Sequence, residues 1–304
     1  MAGGVITTGN HPKALKPGVR KWFGMSYDEH EMEYPVLFTV LNSSENYEED
    51  VQATNFGLAP EKLQGDGVSY TSHIQGWSKR YVHIVYGLGF KVTREEFEDN
   101  RYKELARGRT TAMAFSMTQT KENVHANIIN RMTTAAYTGG DGQVFVVSTH
   151  PSPAGSQSNI LSPAADMSEQ SIEDLQIQVM GATDDQGMQI KLIGESLHIP
   201  RQLYYEAERI LGSILQNDTA LNAKNVLKST GAFPKGIHMN HYFTDSDAFH
   251  IKTNCPNGLL SFQRRAREVT DDNEFDTENA KYKCTERYSC GWTDWRTLYA
   301  SAGA

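Results

Sequence analysis

The sequence predicts an α+β protein organised around one long helix, and three features carry that prediction. A helical periodicity runs from Thr93 to about Tyr137. Period-two alternation fills the chain after Gly236. Between Leu58 and Phe90 lies a polar, glycine-punctuated ribbon with few apolar residues to fold around. With 38% hydrophobic and 22% charged residues over 304 positions, the composition is that of a soluble globular chain long enough for one large domain or two modest ones. No run approaches the ~20 consecutive apolar residues of a membrane span, and the start, MAGGVITTGNHPKALKPG, lacks the apolar stretch of a signal peptide.

The first fifty residues carry Gly and Pro punctuation (HPKALKPG) and an acidic run (ENYEED), with one apolar stretch, YPVLFTVL from Tyr34 to Leu41. They read as an arm with a single anchoring segment. In LAPEKLQGDGVSYTSHIQGWSKRYVHIVYGLGF, from Leu58 to Phe90, the part after Arg80 alternates. Val82, Ile84, Tyr86, Leu88 and Phe90 are expected on a core face, with Tyr81, His83 and Val85 opposite. The part before it reads as two arms of a hairpin with only Val68, Tyr70, Ile74 and Trp77 as large apolar anchors. Such a hairpin is marginal in water, so either it is a mobile loop or its partner is another molecule.

At Thr93 the period changes. Thr93 with Glu96 fits a capping box, and Phe97, Leu105, Met113, Met117, Val124, Ile128 and Met132 follow before YTGGDG stops the pattern. A helix over this span, unbroken or with a break near Asn100 to Gly108, extends for roughly 60 Å at 1.5 Å per residue, which makes it a spine for other elements. QVFVVST from Gln143 is expected as a short buried strand, and HPSPAGSQSNILSPAAD as a loop. SEQSIEDLQIQVMGA predicts a helix capped by Ser168 or Ser171, with Ile172, Leu175, Val179 and Met180 inward. MQIKLIGESLHIP is expected as strand ended by Pro200. RQLYYEAERILGSIL follows as helix, with Leu203, Ala207, Ile210, Leu211 and Ile214 on one side. The segments IHMNHYF, AFHIKTN, GLLSFQRRAREVT and KYKCTERYSCGWTDWRTLYA close the chain as mainly antiparallel strands.

The sequence holds no phosphate loop, dinucleotide fingerprint, nucleophile elbow or HExxH motif. GGDG follows a helix instead of opening one, so it reads as a turn. His238 and His241 lie three apart in a strand and point to opposite faces, which disfavours a shared metal. DDNEFDTE lacks the glycine an EF-hand loop needs at its sixth position and reads as a solvated acidic loop. Cys255, Cys284 and Cys290 form no CxxC pair and read as reduced thiols of a cytosolic product; Cys284 and Cys290 share a strand face, a weak basis for a catalytic thiol. Trp292, Trp295 and Tyr299 read as core or interface anchors. A net charge of −8 argues against gripping nucleic acid through the overall field. The QRRAR run around Arg264, Arg265 and Arg267 reads as a solvated strand end or a subunit contact, with a local basic patch as the other reading.

Several strings, in this order and over nearly the full length, resemble the major capsid proteins of tailed bacteriophages, specifically the Mu-like major head subunits with the Hong Kong 97-type fold. They are MAGGVITTGNHPKAL, YEEDVQATNFGLAPEKLQGDGVSY, GLGFKVTREEFEDN, AFSMTQTKENVHANIINR, YYEAERIL and NEFDTENAKYKCTERYSCGWTDWRTLYASAGA. None is a catalytic motif. The resemblance implies an N-terminal arm at 1–48, an extended loop and adjoining strand at 49–92, a peripheral-domain spine helix at 93–142, a mainly axial domain at 143–250, and peripheral-domain strands with the C-terminus at 251–304. It implies a structural, non-enzymatic protein without catalytic, cofactor or metal residues. Its copies would form the hexamers and pentamers of an icosahedral shell around double-stranded DNA, which is packaged without sequence-specific binding. Leu63, Val68, Tyr70, Ile74, Trp77, Lys79 and Arg80 are then expected at inter-subunit contacts.

Other expected partners are a separate scaffolding protein, since the chain has no room for a fused assembly domain, a portal protein and a decoration protein. The expected place is the virion, after assembly in the host bacterial cytoplasm. Some members cross-link a loop lysine to an asparagine of a neighbour; Lys62 or Lys79 with Asn254 or Asn257 fits only the location. The alternatives are an encapsulin-like compartment and a soluble α+β enzyme with an unrecognised site.

Overall fold

A computed structural model describes residues 31–70, 72, 75–95, 102–215, 223–274 and 278–304. Ile74, Glu96 and Phe97, used above, lie outside the described residues. Among those described, no helix is long and apolar enough to cross a membrane.

The anchoring segment of the arm folds as a short helix α1 (Tyr34–Leu37), with Pro35 in its first turn, and then a strand β1 (Thr39–Asn42). Proline suits a first turn because the amide it lacks has no partner there anyway. Tyr34, Leu37 and Phe38 are buried. Next come β2 (Tyr47–Ala53), β3 (Gln75–Val82) and β4 (Ile84–Val92). The long helix α2 spans Tyr102–Asn130 and α3 spans Glu169–Met180. Then follow β5 (Gly194–Pro200), α4 (Tyr204–Gly212), α5 (Val226–Thr230) and β6 (Ile237–Asn240). The chain closes with β7 (Phe249–Thr253), β8 (Leu259–Asn273), β9 (Ala280–Trp292) and β10 (Leu298–Ser301).

Two four-stranded sheets result, in the orders β1-β8-β9-β4 and β10-β7-β5-β6, with β2 and β3 as a separate two-stranded ribbon. The pairs β1–β8 and β5–β6 are parallel and the remaining pairs antiparallel. Helix α2 lies along β9 and β4 of the first sheet. The main core gathers around α3 and the second sheet, and reaches Phe145, Trp292 and Trp295. A smaller cluster, Met113, Ala114, Met117 and Cys284, lies under the first half of α2.

Local signals explain several elements directly. Ser168 caps α3 through a capping box with Ser171, and Ile172, Leu175 and Val179 are fully buried. Burying each such side chain contributes about 1.5–3 kcal/mol. Pro200 closes β5 as the sequence indicates. The GGDG stretch is a turn, with Gly139 N–H donating to Gln143 O at 2.7 Å and Asp141 accepting from Gln143 N–H at 3.1 Å.

Other expectations need correction. The alternating segment after Arg80 is two strands that belong to different layers and break at His83, whose ring is held between Ser43 Oγ (3.1 Å) and Ser289 Oγ (3.0 Å). The expected faces hold only in part: Tyr81 and His83 are buried and Val82 (62% exposed), Ile84 (54%) and Leu88 (43%) are open to solvent, whereas Tyr86 and Phe90 do turn inward and stack on Tyr288 and Tyr282. Met180 and Ile214, expected inward, are 57% and 74% exposed.

QVFVVST is buried at Phe145 and Val146 but forms no strand. Part of its backbone is met by one buried amide: Asn159 Nδ2 donates to Phe145 O (2.9 Å) and also to Leu298 O (3.0 Å), and Asn159 Oδ1 accepts from Val147 N–H (2.9 Å), while Val146 N–H donates to Met132 O at 3.0 Å. A side chain in place of a ladder satisfies the same groups without a neighbouring strand.

Candidate assembly surfaces

The hairpin read between Leu58 and Arg80 is displaced. The paired arms are β2 and β3, running from Tyr47↔Val82 to Ala53↔Gln75, and residues 54–74 form the connection between them. Among its described residues, the larger apolar side chains stand largely open to solvent. Tyr70 is 94% exposed, Leu58 85%, Leu63 and Val68 64% each, and Phe56 is also open. Several large apolar groups along one polar ribbon form the kind of exposed patch that marks an interaction surface.

The base of the ribbon is docked on its own body. Trp77 is half-buried against the main core, and a side chain at Gly140 would meet its ring at 2.5 Å, so a glycine is needed for this approach. Lys79 Nζ donates to Thr138 O at 2.9 Å and lies 4.9 Å from the Trp292 ring. Burial lowers the pKa of its ammonium, and Asp141 opposes that shift. Tyr81 Oη donates to Thr293 Oγ1 (2.6 Å), whose hydroxyl donates to Asp50 (2.7 Å). At the other end of β2, Asn55 N–H donates to the Asp185 carboxylate at 3.2 Å and Asn55 Nδ2 to Asp184 at 3.3 Å.

The expected contact residues therefore divide. Leu63, Val68 and Tyr70 stand exposed on the connection, and Ile74 lies outside the described residues. Trp77 and Lys79, expected on a neighbouring copy, are engaged within their own chain, because the β2–β3 ladder brings them down onto the 138–140 turn. Arg80 pairs with Glu49 at 3.2 Å and lies 4.4 Å over Tyr47, an exposed pair of small energetic weight. Beside this base, β3, β4, α2 and β9 enclose a groove of about 440 Å³, lined by Val82, Ile84, Tyr86, Val124, Ile128 and Arg131.

Beneath it, α2 presents charge where a core is expected. Lys121 Nζ lies 2.7 Å from Glu286 Oε1, with both side chains at most 4% exposed, and Gln263 bonds to both. Glu122 accepts Glu33 N–H (2.9 Å) and Tyr34 N–H (3.2 Å) at the start of α1. His125 bridges Lys121 O (2.7 Å) and Ser261 Oγ (2.8 Å), with its ring between Tyr34 and Tyr288. Burial pushes the His125 imidazole down to about 4. Reading α2 by its apolar residues alone misses this centre. The available signal is spacing: Thr118, Lys121, Glu122 and His125 continue the i, i+3, i+4 series of Met113, Ala114 and Met117 on one face.

Catalytic signals stay dispersed. His238 stacks on His198 at 5.3 Å, whereas His241 turns to Glu33, so the two do not share a site. Burial pushes the Cys284 and Cys290 thiols up to about 11 and 12, so both stay protonated and unreactive near neutrality. Among the described residues no group of three His, Cys, Asp or Glu is placed to hold a metal ion. Arg265 bonds to Thr285 across β8–β9, at a pair of irregularities in that ladder.

Comparison with known proteins bears on this geometry. The family described as phage capsid protein matches residues 78–301. No curated protein sequence matches the chain. Among solved structures, a chain of Mycobacterium phage Patience superposes with a TM-score of 0.56 at 10% identity, covering 94% of this chain and 86% of that one. A chain from the capsid of Myoviridae phage XM1 gives 0.53 at 10% identity, covering 90% and 94%. One from the procapsid of bacteriophage JBD30 gives 0.50 at 14%, covering 97% and 76%. At such identities the likeness is one of fold.

Proposed function

From the premise that this chain belongs to the phage capsid protein family, we infer that it is the major capsid subunit of a tailed bacteriophage, a component of the virion whose copies assemble into a shell. The single observation that carries the mechanism is the exposure of Leu58, Leu63, Val68 and Tyr70 along the connection between β2 and β3.

The mechanism is mutual cover. A subunit lays its exposed connection over a neighbouring copy, and the seat that suits it is the groove beside α2, apolar along Val82, Ile84 and Val124 and basic at Lys79, Arg80 and Arg131. The connection supplies Phe56, Leu58, Leu63, Val68 and Tyr70, with Glu61, Lys62 and Asp66 between them. Head-to-tail contacts of this kind are heterologous and close into rings. Hexamers and pentamers of an icosahedral shell are the closed forms the reading requires. Residues up to about 48 act as the arm and 49–92 as the extended loop with its strand. In place of peripheral strands over all of 251–304, the first sheet with α2 forms the peripheral part, and the second sheet, which takes in β7 and β10, forms the axial part with α3 to α5. A scaffolding protein, a portal, a decoration protein and packaged double-stranded DNA complete the partner set, and assembly takes place in the host cytoplasm.

Negative-stain microscopy of the expressed chain, alone and with the phage's scaffolding protein, tests the reading. Closed particles hundreds of ångströms across are expected, and a monodisperse small oligomer under both conditions would overturn it. Photoreactive benzoylphenylalanine in place of Tyr70 tests the seat: it is expected to cross-link to residues 124–131 of another copy.

A further inference from the structure

The short helix α1 is held from two sides. Its first amides, Glu33 N–H and Tyr34 N–H, rest on the Glu122 carboxylate of α2, at 2.9 and 3.2 Å. Its carbonyl at Val36 accepts from Lys252 of β7 at 2.9 Å. The Glu33 side chain reaches the turn after β6, accepting from His241 N–H at 2.9 Å and pairing with the His241 ring. Tyr242, in the same turn, receives a bond from Gln119 of α2 at 2.8 Å. The arm helix is thus a wedge between the spine helix and the second sheet.

The charges around this wedge do not balance on their own. Among the described residues, the titratable and charged groups acting on Glu122 are Glu33 and Tyr34 of the arm, Lys121 of α2 and Tyr242 of the turn, with Glu286 behind Lys121, His241 behind Glu33 and Lys252 at the far end of the arm helix. Lys121 is committed to Glu286 at 2.7 Å. Glu33 has His241, whereas Glu122, itself 2% exposed, accepts two amides, faces the Glu33 carboxylate and must share the Lys121 ammonium with Glu286. A buried carboxylate without a cation of its own is costly, and a proton removes that cost.

We propose that the seat of the arm helix is a proton-controlled clasp, firm while Glu122 is protonated and loosened when its proton leaves, so that proton uptake at one spine-helix residue couples the arm to the junction of the two sheets. Burial first, and then the facing Glu33, pushes the Glu122 carboxyl up to about 7, against the pull of the two amides and of the Lys121 charge. Since this lies above the ordinary carboxyl value of 4.5, the contribution to arm seating is complete below 4.5. It declines from there and is lost as pH rises through about 7. The clasp resides within one subunit and stands whether or not the chain builds shells.

Hydrogen–deuterium exchange of the full, unassembled chain tests it, read on the peptide spanning 34–38 against a peptide spanning 172–179 of α3 as internal reference. After correction for intrinsic exchange, protection of 34–38 relative to the reference is expected to fall about tenfold between pH 6 and pH 8, one decade per unit of effective shift. In Glu122→Gln, which keeps an acceptor but cannot lose a proton, the profile is expected to be flat. Glu33→Gln, which removes the facing carboxylate, is expected to move the midpoint to lower pH. A wild-type ratio unchanged between pH 6 and 8 overturns the proposal, as does a Glu122→Gln profile matching wild type. If Glu122→Gln does not fold, the wild-type profile and the Glu33→Gln midpoint decide.

Discussion

The connection at 54–74 and the inner face of α2 are opposites. The first exposes Leu58, Leu63, Val68 and Tyr70 to solvent, whereas the second buries Lys121, Glu122, His125 and Thr118. Each arrangement is unfavourable for an isolated element: apolar area in water forfeits about 25 cal/mol per Å², and a buried charge is stable only when paired and hydrogen-bonded. The difference lies in where compensation comes from. For α2 it is internal, since Glu286, Gln263, Ser261 and the first amides of α1 meet the buried groups. For the connection it is external on the proposed reading, in which another copy of the chain supplies it.

That contrast can be broken from either side. The largest effect is expected at Lys121. Replacing it with Met leaves Glu286 buried without its cation and is expected to cost about 3–5 kcal/mol in equilibrium unfolding of the unassembled chain. Pairing Lys121→Met with Glu286→Leu restores most of that loss. A single substitution costing less than 1 kcal/mol would show that the pair is open to water.

A smaller effect, of different kind, is expected at the connection. Leu58→Ser with Tyr70→Ser removes two exposed anchors, so unfolding of the free chain shifts within about 0.5 kcal/mol. Each interface they serve weakens by about 2 kcal/mol or more, read as loss of particles in sedimentation. Lower stability of the free chain with unchanged particle yield would place these side chains on their own body. The least effect is expected for Arg80→Gln, which breaks the exposed pair with Glu49 and changes stability by less than about 1 kcal/mol. A larger loss in equilibrium unfolding of the free chain would mean that the Arg80–Glu49 pair over Tyr47 is shielded from water.

Much of the fold is legible because its causes are local. Ser168 and Ser171 sit where a helix start needs acceptors, Ile172, Leu175 and Val179 recur at helical spacing, and Pro200 ends a ladder it cannot extend. The exposed connection is legible too, since Leu63, Val68 and Tyr70 are too few and too scattered among Gly and polar residues to build a core. Its anchored base is less so. Trp77 and Lys79 carry no mark that distinguishes a contact with their own 138–140 turn from one with a neighbour.

What the amino-acid order determined alone is therefore the set of elements with short-range causes, and the absence of a private core for the ribbon. The tertiary structure decided the rest. It set the break at His83 that turns Val82 and Ile84 outward, and the use of Asn159 in place of a strand partner for Phe145. It also chose Lys121, Glu122 and His125 as buried residues. The physical reason is shared: each outcome depends on a group more than ten residues away, Ser289, Leu298 or Glu286, and a partner at that distance leaves no trace in local periodicity.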